Sequence, residues 1–210
     1  LLTGNNSVSG VKLKDGRVFR GDYYISAVPY WSVQRLFAGT GYSGTAGFLG
    51  TELNSVPALH PSPIISIHLL FNKSLSEYTF TALLNSPIQW VFNKEKIFRD
   101  AAYRGLLSIV ISGAHQYIDV PSEKLVEMAL RELKKVFPDT SSARLLYCKV
   151  IKERHATFSP QPGVDKFRPS QKTSIKNLFL AGDWTDTGLP ATIEGAALSG
   201  HKCAKAIVSI

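Results

Sequence analysis

The segment NLFLAGDWTDTGLPATIEGAALSG, residues 177–200, constrains the fold of this chain more than any other stretch. Leu178 to Ala181 is a continuous apolar run without polar alternation, the pattern of a strand buried on both faces of an α/β sheet. It stops at Gly182-Asp183. Ligands in such sheets gather beyond the carboxyl ends of the strands, so Asp183 stands where a carboxylate can accept hydrogen bonds from a sugar or polyol hydroxyl. The same carboxylate can instead satisfy the amides of its own turn, and the residue alone does not choose between the two. Pro190 and Thr192 then read as a helix start, with Thr192 as N-cap and unpaired N–H groups over the next few residues. Such a helix aims its positive dipole end at whatever lies beyond the strand, and Glu194 in its first turn suits the dipole with or without a ligand. Gly195, Ala196, Ala197, Gly200 and Ala204 leave little bulk along it, which permits close approach to a sheet or a ligand.

Upstream, Asp15-Gly16 predicts a tight hairpin turn, succeeded by a strand at about Tyr24 to Val28. GTGYSG, residues 39–44, has the G-x-G-x-x-G spacing of a pyrophosphate loop. It lacks that loop's context, because the preceding run is stopped by Pro29 and the segment after it is broken by Gly47, Gly50, Pro57, Pro61 and Pro63. A Gly-rich connection is the expectation there. PIISIHLLFN puts Ile65, Ile67, Leu69 and Phe71 on one strand face and Ser66 and His68 on the other, and IQWVFNKE and GLLSIVISGA are strands that can complete an antiparallel sheet. PSEKLVEMALRELKKVF sets Leu125, Ala129, Leu130, Leu133 and Val136 at helical spacing, and Pro138 ends that helix. ARLLYCKVIKERHATF returns as a strand, and SPQPGVDKFRPSQKTSIK is a Pro-rich basic connection.

With 210 residues and 44% hydrophobic content the chain can bury a sizeable core. Lys plus Arg number 24 against 16 Asp plus Glu, a net charge of +8, yet no dense basic run with interleaved aromatics points to nucleic acid. Cys148 and Cys203 are too far apart for a C-x-x-C site, and His60, His68, His115, His155 and His201 are scattered, so no metal site is expected. Neither a G-x-S-x-G elbow nor an H-E-x-x-H pair is present, and the sequence names no catalytic residue.

AGDWT and, after it, TGLPATIEGA resemble the C-terminal FAD-binding segment of the amine oxidase and phytoene desaturase superfamily. Within it the chain is most similar to the squalene-associated desaturase-like enzymes, the hydroxysqualene dehydroxylases of hopanoid biosynthesis. ERHATFSPQPGVDKFRP, QWVFNKE and VKLKDGRVFRGDYYISAVP extend the likeness over most of the chain.

The resemblance implies an α/β (α+β) chain, the C-terminal part of a two-domain FAD-dependent oxidoreductase fold. Residues 1–35 and 171–210 would belong to the FAD-binding domain, and residues 36–170 would form a substrate domain of antiparallel sheet plus helix. Gly182 and Asp183 would meet the ribityl or phosphate region of FAD, and Thr192, Ile193 and Glu194 would lie at the isoalloxazine ring through backbone amides. The family's first strand, its G-x-G-x-x-G turn and its acidic ribose ligand are expected before Leu1, in a missing N-terminal half that GTGYSG does not replace.

The implied substrate is a long isoprenoid. For hydroxysqualene an allylic hydroxyl is replaced by hydride from reduced FAD as the leaving oxygen is protonated; for a phytoene-type carotenoid precursor the direction reverses. Phe71, Trp90 and Phe92 either line an apolar tunnel or pack the core. A cytoplasmic protein touching the membrane peripherally through Lys124, Arg131, Lys134 and Lys135 is the accompanying expectation, set against an ordinary solvated helix face. The non-enzymatic alternative is a truncated interaction module.

Overall fold

Turn chemistry sets the first sheet. In the computed structural model, which describes residues 1–37 and 56–210, strands β1 (Leu2–Gly4) and β2 (Ser7–Lys12) pair antiparallel across Asn5-Asn6. Both asparagines have positive φ, 50° and 57°, as the turn that matches strand twist requires. The Asp15-Gly16 turn closes β2 onto β3 (Val18–Phe19), with Gly16 at φ 89° and the Leu13 N–H donating to the Arg17 carbonyl at 2.8 Å. GTGYSG lies outside the described residues.

Strand β4 (Tyr24–Ser26) is shorter than expected, because Ala27 and Val28 leave the ladder before Pro29 and the short helix α1 (Tyr30–Val33). Its partner is β10 (Leu178–Leu180), parallel and in register Tyr24 with Leu178 through Ser26 with Leu180. All three residues of β10 are buried, as their uninterrupted apolarity predicts. Helix α4 (Ile193–Val208) comes after it.

The chain divides into two compact units, Leu1–His60 with Thr157–Ile210, and Pro61–Ala156. The units change over at 60/61 and 156/157, whereas the expected functional parts change over at 35/36 and 170/171. Val8, Tyr30, Val33, Leu59, Phe158, Leu178, Leu180 and Trp184 form the main core of the first unit.

The second unit is built on a five-stranded sheet in the order β6 (Phe80–Ala82), β7 (Trp90–Asn93), β8 (Leu106–Ser112), β5 (Pro61–Phe71), β9 (Leu145–Phe158). β5 joins β8 antiparallel, as do β8 and β7, and β7 and β6. The short helix α2 (Lys94–Phe98) succeeds β7, capped by the Asn93 side chain. One sheet face carries Ile65, Ile67, Leu69, Val91, Leu107, Ile109 and Ile111 in one core with Leu125, Ala129 and Leu133 of helix α3 (Ser122–Val136).

Of the two roles open to Phe71 the structure gives it core packing, while side-chain direction differs from expectation on α3. Phe71 is 2% exposed in that core and lines no open surface. On α3 the buried residues are Leu125, Val126, Ala129, Glu132 and Leu133, while Val136 is 41% exposed. Phe137, just beyond the helix, takes the core position that helical spacing assigns to Val136.

Candidate functional site

The parallel pair places Ser26 and Leu180 at matching carboxyl ends, so the chain leaves both strands on the same side of the sheet. Gly182 comes next with φ 144°, in the left-handed region. A Cβ there would sit 2.5 Å from the Trp184 indole nitrogen, so the position is closed to side chains by conformation and by contact. Trp184 is 1% exposed and donates to the Val28 carbonyl at 3.1 Å, which ties the exit of β10 to the exit of β4. The Gly182 N–H donates to Ser199 Oγ at 2.7 Å, and Ser199 donates to the Ala196 carbonyl, which anchors the same exit to α4.

From Gly182 to Thr192 the loop is held by Arg168, whose side chain is 3% exposed. Its guanidinium donates to the carbonyls of Thr185 at 2.7 Å, Leu189 at 2.8 Å and Asp183 at 3.0 Å, and pairs with Asp165 at 3.1 Å. Gln171 adds bonds to Thr185 Oγ1 and to the Asp186 carbonyl, both at 3.0 Å. By sequence Arg168 sits inside a basic connection, where an arginine looks solvated. The signal that could have found it is the FRP tripeptide, in one of the segments that carry the family likeness.

Helix α4 begins as expected, with Thr192 extended at φ −140° and its Oγ1 accepting from the Gly195 N–H at 3.1 Å. The Ala196 N–H reaches the Thr192 carbonyl, so the first-turn amides of Ile193 and Glu194 are the ones without a partner among the described residues. Both residues are exposed, and Ile193 is 92% so. The helix packs through Gly195, Ser199 and Cys203, spaced by four, whereas Ala197, Gly200 and Ala204 face outward. Of the small residues expected to form a close-packing stripe, Gly195 alone is fully buried. A Cβ at Gly195 would lie 2.6 Å from the Pro190 carbonyl, so that glycine is required by the loop.

Beside the loop is a cavity of about 540 Å³ bounded by Phe158, Val164, Arg168, Asp186, Leu189 and Pro190, within the size range of small-molecule sites. Asp183 is half-buried, and burial pushes its carboxyl up from the ordinary aspartate range. Its own backbone amide, the Arg168 guanidinium and the Trp184 amide pull the other way. Burial also raises the Tyr30 hydroxyl, and the Asp183 carboxylate adds to that rise. Tyr30 Oη and Ser26 Oγ, both near the exit of β4, are buried without partners among the described residues. Nothing in the sequence singles out either one. The structure therefore gathers a half-buried carboxylate, an N-capped helix start with two available amides, and an adjoining cavity in one unit, and such a set can hold a ligand with polyol and carbonyl groups.

Comparisons with known proteins identify the family. The chain is 32% identical over 216 residues to a chloroplastic/chromoplastic 15-cis-phytoene desaturase of an Oncidium hybrid cultivar, covering 99% of this chain and 36% of the relative. It is 34% identical over 146 residues to a hydroxysqualene dehydroxylase of Rhodopseudomonas palustris, covering 70% of this chain and 32% of the relative. The chain thus spans about a third of the length of these curated relatives. Among solved structures, an oxidoreductase from Methanosarcina mazei superposes with a TM-score of 0.72 at 19% identity, covering 98% of this chain and 47% of that one. Reduced UDP-galactopyranose mutase does so with 0.62 at 15%, over 84% and 39%. These two share the fold. The family model for flavin containing amine oxidoreductases matches residues 3–208, nearly the whole sequence, and the chain belongs to that family.

Proposed function

We propose that the chain forms part of an FAD-dependent oxidoreductase acting on a long isoprenoid, with reductive dehydroxylation of hydroxysqualene to squalene as its reaction. The observation that carries the reading is the N-capped start of α4, with Ile193 and Glu194 amides that have no partner among the described residues, in a segment that the family model matches. FAD, when bound, supplies hydride transfer. The residues present fit it: the two amides suit the carbonyl-rich edge of a flavin, and Asp183 suits a ribityl hydroxyl. Arg168 keeps the Asp183–Leu189 carbonyls turned toward itself, which fixes the loop that joins strand to helix. The other face of the five-stranded sheet, which carries Phe80 and Trp90, offers apolar contact to a hydrocarbon.

The test is a titration of FAD into the purified chain, monitored by flavin emission. Quenching that weakens in Asp183→Ala supports the assignment; no quenching at tens of micromolar FAD, with the family's N-terminal half supplied as a separate chain, leaves a non-catalytic interaction module. Desaturation of a phytoene-type substrate is the second reading, favoured by the likeness to the Oncidium enzyme over 99% of the chain. Product analysis separates them, since dehydroxylation yields squalene and desaturation yields a longer conjugated polyene. A cytoplasmic protein with peripheral membrane contact completes the proposal. Exposed Phe98 and Tyr103, 4.6 Å apart, lie among Lys94, Arg99 and Arg104, a basic and aromatic corner suited to an anionic bilayer surface.

A further inference from the structure

Cross-strand register defines two rows on the sheet face opposite α3. The first runs Phe80, Phe92, Ser108, His68, each paired with the next across β6, β7, β8 and β5. The second runs Ala82, Trp90, Val110, Ser66. Directly paired residues share a face, so these eight side chains stand together. No element of this unit buries them as α3 buries the other face: Phe80 is 58% and Trp90 40% exposed, and Phe92, Val110 and His68 are half-buried. The aromatics are in contact, with Phe80 and Phe92 each 6.1 Å from Trp90 between ring centroids.

Within this apolar patch one polar pair is fixed. His68 Nδ1 lies 2.8 Å from Ser108 Oγ, and Ser108 is 4% exposed, so the serine sets the orientation of the imidazole. Nε2 has no partner among the described residues. Burial, then Lys94 at the start of α2 and Lys149 on β9, lower the imidazole's proton affinity, which favours the uncharged ring. An uncharged imidazole nitrogen exchanges a hydrogen bond with an alcohol and has little to offer a bare hydrocarbon. A row of aromatic and aliphatic side chains beside one hydrogen-bonding nitrogen held in place by a buried serine matches a long hydrocarbon that carries one hydroxyl.

We propose that His68, positioned by Ser108, is the residue of this face that recognises a hydroxyl borne on a long isoprenoid chain. The inference rests on the isoprenoid reading above and adds the polar group that distinguishes an alcohol from its parent hydrocarbon. Its test needs neither FAD nor turnover. Farnesol and farnesane, delivered to the purified chain from the same cyclodextrin stock, are titrated against tryptophan emission, with Trp90→Phe identifying the component that arises on this face. The expected result is binding of farnesol about tenfold tighter than farnesane. His68→Phe, which keeps the ring volume and apolar packing, should abolish the preference while farnesane still binds. His68→Gln, which keeps a hydrogen-bonding group, should restore part of it, and Ser66→Ala should leave it intact. Equal binding of the two ligands by the wild type, or a preference that survives His68→Phe, overturns the role of His68 and leaves the isoprenoid reading standing. Failure of both ligands to bind overturns both.

Discussion

Ile193→Pro separates the contribution of one amide from that of the fold around it. Residue 193 is the first helical position of α4, where the N–H has no helical acceptor and proline is tolerated. Thr192 is already extended, at φ −140° and ψ 168°, as a residue preceding proline prefers. The isoleucine side chain is 92% exposed, so its loss removes little packing. Chain stability should therefore change by less than about 1 kcal/mol in either direction, since proline at a compatible site stabilises by roughly that amount through the unfolded state. FAD affinity should fall, because one donor is deleted; a hydrogen bond worth about 0.5–1.5 kcal/mol corresponds to roughly a two- to twelvefold rise in Kd. Flavin emission gives Kd and urea unfolding gives stability, with Ile193→Ala as the control that shortens the side chain and keeps the amide. If Ile193→Pro binds FAD as tightly as Ile193→Ala, the amide is not a ligand. If it unfolds more than about 2 kcal/mol more easily than Ile193→Ala, the helix does not begin where the cap places it.

Arg168→Met keeps most of the volume and deletes the donors to three carbonyls, so it should destabilise by about 3 kcal/mol or more, taking each buried charged bond at about 1 kcal/mol net. Asp165→Asn at the exposed end of the same ion pair should cost under about 1 kcal/mol, and urea midpoints compare the two. Gly182→Ala should lower stability by about 2 kcal/mol or more through its φ of 144° and the Trp184 contact, against about 1 kcal/mol for Gly188→Ala at φ 78°, where nothing lies within 4 Å of the added Cβ. Glu132 accepts from Lys135 and Ser86, which hold its carboxyl below the usual glutamate range. A depressed folded-state value stabilises above the unfolded value and is lost as pH falls through the folded one, so Glu132→Gln should flatten the acid side of the stability profile and leave its alkaline side unchanged. Thiol titration should find Cys148 reactive in the native chain and Cys203, buried with its thiol pushed up, reactive only in denaturant.

The parts of this fold that are legible in the sequence are those whose cause is local. Four apolar residues ended by Gly-Asp make a buried strand with a turn, and Thr192 three residues before Gly195 can cap a helix whatever surrounds it. The alternation in PIISIHLLF separates His68 from Ile67 and Leu69 because strand periodicity needs no knowledge of partners. Where partners decide, sequence patterning misleads. Phe71 and Trp90 read alike as aromatics that either line a tunnel or pack the core, yet register sends them to opposite faces, and the register is set by β8. Glu132 is buried on α3, where helical spacing expects a solvated charge, because Lys135 one turn on and the remote Ser86 give its carboxylate somewhere to bond, and Ser86 is not visible in helical spacing. Asn5-Asn6 is a local signal that composition alone does not flag; two residues tolerant of positive φ between β-prone runs are sufficient for the turn.

Arg168 shows why a site of this kind resists sequence inspection even when its motif is recognised. The groups that would meet the ligand at α4 are backbone amides, and every residue but proline carries one, so Ile193 and Glu194 could be replaced by many others without changing the donors. What the sequence must specify is the scaffold that leaves those two amides open: a threonine that satisfies the third, a glycine at 195 that admits the Pro190 carbonyl, and a glycine at 182 that admits the Trp184 indole. The loop between them presents three of its carbonyls to Arg168, from a segment 15 or more residues earlier, and without that cation these acceptors would lose their donor. The arginine thus sorts the polarity of the loop, drawing carbonyls inward and leaving N–H groups at the helix start. Substituting Lys for Arg168 keeps the charge but not the planar fork that reaches three carbonyls at once, so Arg168→Lys should retain part of the stability and lose FAD affinity, whereas a purely electrostatic role predicts that it retains both.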